Sequence, residues 1–74
     1  MAIEGACDKL FALICDRTNK TKAVGIGMND AGEEIIDVVV EFGDRKIVED
    51  LLDKEGKFKG FEVRIEEGGP IVVA

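Results

Sequence analysis

The sequence predicts a single α+β domain over residues 1–74, a two-layer sandwich in the order α-β-β-α-β-β. Two helices are expected on one face of a four-stranded, mostly antiparallel sheet. Three observations predict it. Two segments carry one apolar stripe each at helical spacing, so each needs something flat to lie against. Four shorter segments are apolar runs or alternate apolar with polar residues, as strands do. Glycine, proline, asparagine and aspartate fall between these segments, where the chain has to turn.

The first element is a helix over residues 3–16. Ile3, Cys7, Leu10 and Ile14 recur at helical spacing, and Ala6, Phe11, Leu13 and Cys15 widen the stripe. Thr18, Asn19, Lys20 and Thr21 form helices poorly and make a polar loop. A strand follows over 22–29, with Val24, Ile26 and Met28 on one face and Ala23, Gly25 and Gly27 on the other. The Asn29-Asp30-Ala31-Gly32 stretch carries turn chemistry, so the next strand, 34–42, closes an antiparallel hairpin. Ile36, Val38, Val40 and Phe42 share one face of it; Ile35, Asp37, Val39 and Glu41 share the other.

Gly43 ends that strand, and Asp44 is placed to cap a second helix over 45–55 by accepting from an early backbone N–H. Its stripe is Ile47, Val48, Leu51 and Leu52, and Gly56 stands where a left-handed C-terminal cap falls. A third strand is expected over 58–66, with Phe61, Val63 and Ile65 pointing inward. Gly68-Gly69-Pro70 turns the chain into a short last strand, 71–73, which Pro70 confines to an edge or a turn.

Apolar residues make up 46% of the chain and charged residues 35%, a mixture that folds rather than staying disordered. A net charge of −6 repels phosphate backbones and anionic lipid, which argues against nucleic acid and membrane surfaces as partners. No apolar run approaches a membrane span, and the acidic residues early in the chain are unlike a secretory signal, so the expected location is cytoplasmic.

The candidate chemistry is sparse. Histidine and serine are absent, so neither a histidine base nor a serine nucleophile exists. Cys7 and Cys15 are about 12 Å apart along one helix, too far for a disulfide, and read as buried free thiols. Two cysteines without histidine do not fill a zinc site. Gly25-Ile26-Gly27 lacks the third glycine and the following helix of a dinucleotide fingerprint. No enzyme activity, metal or cofactor is therefore expected.

The sheet face opposite the helices carries more information. Ala23, Gly25, Gly27, Ile35, Val39 and Val72 are expected there beside Asp37, Glu62 and Arg64. A flat, half-apolar patch of this kind marks a contact surface. The expected function is a protein-interaction or assembly module, self-associating through the open face. A regulator or inhibitor of an enzyme such as a peptidase, and a small thiol-dependent redox protein, are the alternatives. The expected partner is a second copy or another protein.

Ala23-Val24-Gly25-Ile26-Gly27, then Gly32-Glu33, the apolar run Ile36 to Val40, Phe58-Lys59-Gly60-Phe61-Glu62-Val63 and the closing Gly69-Pro70-Ile71 form a pattern. It resembles the segment that precedes some bacterial trypsin-like serine peptidase domains, over most of residues 3–73. That segment lies ahead of the catalytic part, so the resemblance implies an accessory or pro-segment-like module. No catalytic residue carries over to this chain.

Overall fold

The computed structural model describes residues 2–20 and 22–68. Its elements are helix α1 (Ile3–Cys15), strands β1 (Lys22–Met28) and β2 (Glu34–Glu41), helix α2 (Arg45–Glu49), and strands β3 (Lys57–Phe58) and β4 (Phe61–Gly68). The fold is the expected α+β one, in the expected order, with a four-stranded sheet arranged β1-β2-β4-β3. β1 and β2 pair antiparallel with Val24 opposite Val38; β3 and β4 pair antiparallel with Phe58 opposite Phe61. β2 and β4 run parallel, with Val38 opposite Ile65, because the chain crosses over through α2 between them.

One core forms where the apolar stripes meet. Ala6, Cys7, Leu10 and Ile14 of α1 and Val48 of α2 pack in one cluster with Ile36, Val38 and Val40 of β2 and Phe58 of β3. Those three β2 residues alternate, so they share a face, and both helices lie against it. Leu10, Ile14, Ile36, Val38 and Val48 have no exposed surface at all.

Three boundaries differ from the sequence reading, each for a local reason. α2 spans five residues where eleven were expected. The Asp53 carboxylate accepts the backbone N–H groups of Glu55 and Lys57, at 2.9 Å each, and folds the chain into a turn that competes with another helical turn. Asp44 does not cap α2 with its side chain. It is nearly buried, and its carboxylate accepts the Thr18 hydroxyl at 2.9 Å, with the Lys20 ammonium 3.7 Å away, tying the α1–β1 loop to the start of α2. The expected strand over 58–66 is a tight hairpin in which Lys59 and Gly60 both take positive φ, 54° and 84°. A two-residue turn joining twisted antiparallel strands needs that backbone at both positions. The expected strand 71–73 lies outside the described residues.

Candidate functional site

The face turned away from the helices follows from β-strand alternation. Since Ile36, Val38 and Val40 point to the helices, Ile35, Asp37 and Val39 point the other way. Register then places Gly27 opposite Ile35, Gly25 opposite Asp37, Ala23 opposite Val39, and Arg64 beside Asp37. Five of the six sequence-nominated surface residues are thus brought together on one face. Val72, the sixth, lies outside the described residues.

The face is not uniform. At its centre Arg64 donates twice to Asp37, Nη2 to Oδ2 at 2.8 Å and Nε to Oδ1 at 3.3 Å. The bond from Arg64, together with its charge, holds the Asp37 carboxyl below the usual carboxylate range against the opposing effect of burial. Gly27 makes room for this pair. A Cβ there would stand 2.9 Å from Asp37 Oδ2 and 3.3 Å from Arg64 Nη2, whereas one at Gly25 would meet nothing within 4 Å. What approaches Gly27 is therefore a side-chain pair of the same chain.

Ile35 departs from its expected role as a contact residue. It is 1% exposed, although among the described residues no helix lies over its side of the sheet. Asn29 Nδ2 reaches Glu62 Oε1 at 3.5 Å across the strand that carries Ile35, and Arg64 closes in from β4. Val39, four residues on, is 41% exposed with Ala23 on one side and Glu66 on the other. The bare apolar part of the face is the Ala23–Gly25–Val39 end.

Sequence reasoning placed Ile26, Met28 and Phe42 with the core, yet all three are exposed, Met28 by 60% and Phe42 by 78%. Phe42 lies just past the end of β2. Ile26 and Met28 lie on β1, the strand at one end of the sheet, where among the described residues no further strand flanks them.

The two thiols differ. Cys7 is buried and its Sγ donates to the Gly25 carbonyl at 3.6 Å. Burial pushes its pKa up, and the Asp8 and Glu4 charges add to the rise, so at neutral pH it is a protonated thiol and a poor nucleophile. Cys15, expected to be buried, is exposed, because by the last turn its position has rotated past the inward stripe. Among the described residues no group of three or more Cys, Asp or Glu is placed to hold a metal ion, and no helix is long and apolar enough to cross a membrane.

Compared with known proteins, the chain matches no protein-family model, no curated protein and no solved structure.

Proposed function

We propose that this chain is a non-enzymatic protein-interaction module that assembles through its sheet rather than through a pocket. The observation that carries the reading is the sheet face left without a helix among the described residues, with Val39 standing exposed beside Ala23 and Gly25. A side chain added at Gly25 would find open space, so the surface is flat there as well as apolar. Flat apolar surface is what a second protein surface covers at least cost, and a domain this small gains stability from being covered.

Light scattering of the purified chain at tens of micromolar tests the proposal. The monomer weighs 8.0 kDa. The expected mass is a multiple of that value, and Val39→Glu, which places a charge in the bare end of the face, reduces it. A strict monomer, or a Val39→Glu variant that assembles like the wild type, counts against the face.

A further inference from the structure

We infer that two copies of this chain join edge to edge, β1 against β1 in antiparallel register, to make one continuous eight-stranded sheet. The inference rests on the assembly reading above and adds to it a contact along the sheet edge, whose partner is a second copy.

Four observations carry it. First, β1 ends the sheet, and among the described residues nothing pairs with its outer side. Second, from Ala23 to Met28 this edge has no charge, no proline and no bulge, the devices that keep edge strands apart. Third, of five exposed large hydrophobic side chains among the described residues, three border this edge. Ile26 and Met28 belong to β1. Phe11 follows Cys7 by one helical turn, and Cys7 faces Gly25 of β1, so Phe11 stands on the β1 side of α1.

Fourth, the edge is electrically polar along its length. Lys22 stands at its start, with Lys20 two residues before it and 3.7 Å from Asp44; Asp30, Glu33 and Glu34 cluster around the turn that follows its end. Antiparallel pairing about a two-fold axis lays the basic start of one copy on the acidic end of the other. Parallel pairing stacks like on like. A generic apolar peptide would satisfy the first three observations, but only a segment with this charge layout, as a second β1 has, satisfies the fourth.

Register follows from length. All seven residues of β1 find partners only if Gly25 sits on the two-fold axis. Val24 then faces Ile26 of the second copy, and Ala23 faces its Gly27. Two branched side chains meet on the helix side, and on the other side Ala23 meets a glycine over which the Asp37–Arg64 pair of its own chain lies. Asn29 N–H donates to Glu33 across the hairpin, so Gly25, two steps of alternation back along β1, turns its backbone groups to β2. The outward N–H and C=O groups for the new ladder are those of Val24 and Ile26, with Lys22 and Met28 at its ends.

Hydrogen–deuterium exchange of the full chain at low and high protein concentration, read beside the mass, tests this. Amides within residues 22–28 are expected to exchange about tenfold or more slowly once the chain associates. Ile26→Lys, which puts a charge at the seam but not on the uncovered face, is expected to halve the mass and abolish that protection. Circular dichroism matching the wild type excludes unfolding as the cause. A strict monomer overturns the proposal. So does an associated wild type whose β1 amides exchange at a rate independent of concentration. In that second case, Val39→Glu dissociating the protein leaves the face reading standing and removes only the edge.

Discussion

Gly25 and Gly27 lie two residues apart on one strand and face the same side, yet alanine should act differently at the two positions. Glycine in a strand loses more freedom on folding than alanine does, so replacing it where there is room stabilises by about 0.5–1 kcal/mol. Gly25 has the room, since its added Cβ meets nothing within 4 Å. Gly27 does not. The contacts at 2.9 Å to Asp37 Oδ2 and 3.3 Å to Asp37 Cβ are with a short side chain that cannot bend away at its tip alone. It has to leave its rotamer and loosen both bonds from Arg64. Gly25→Ala is therefore expected about 0.5–1 kcal/mol above wild type, and Gly27→Ala at or below it.

Urea denaturation with equal slopes for the three proteins measures this difference. Acid adds a second check. The folded pKa of Asp37 lies below its ordinary 3.8, so its contribution is complete above that value and is lost as pH falls through the lower, folded one. The wild type loses that contribution on acidification, while Gly27→Ala has lost it already. The two stability curves should converge at the acid end. Equal gains from both alanines, or a gap that persists unchanged into acid, would refute the account of why Gly27 is glycine.

Thr18→Val removes the hydroxyl that donates to buried Asp44, and leaves a nearly buried carboxylate oxygen short of a partner. A loss of about 1.5–3 kcal/mol is expected in thermal or urea melts, and wild-type stability would show that the bond carries nothing. Leu10→Ala empties part of the fully buried cluster and should cost about 2–5 kcal/mol, much of the roughly 4–11 kcal/mol available to a chain of this length. Under native conditions a thiol reagent should label Cys15 at nearly the unfolded rate and Cys7 far more slowly, and mass spectrometry of the labelled peptides separates them; equal rates would contradict the buried, protonated state of Cys7.

The sequence was most legible where one period repeats without interruption. Ala6, Cys7, Leu10 and Ile14 are the four buried positions of α1, and alternation along β2 assigned Ile36, Val38 and Val40 to the core. It was least legible where a short polar side chain competes for the backbone. The stripe Ile47, Val48, Leu51, Leu52 reads as one long helix, but Leu51 and Leu52 reach the core from a turn organised by Asp53. Nothing in periodicity announces that capture. The candidate face was legible in membership and misleading in exposure. Alternation says which way Ile35 and Val39 point, but not that Asn29 and Glu62, 33 residues apart, meet beside one of them. Nor does it say that Phe11, Ile26 and Met28 gather along one edge.

The contrast between Ile35 and Val39 also joins the two proposed contacts. The face is closed at the end where Asn29, Glu62 and Arg64 crowd Ile35. It is open at the other end, where Val39 has only Ala23 beside it on β1. Ala23 belongs to the outermost strand, so the bare part of the face runs out to the same edge that Ile26 and Met28 leave uncovered on the helix side. A second β1 laid along that edge brings its own Gly25 beside that of the first copy with no side chain between them, and its Gly27, with the Asp37–Arg64 pair of its own chain over it, next to Ala23. Pairing the edges thus leaves Val39 uncovered, and the face can still receive a partner after the edges have joined.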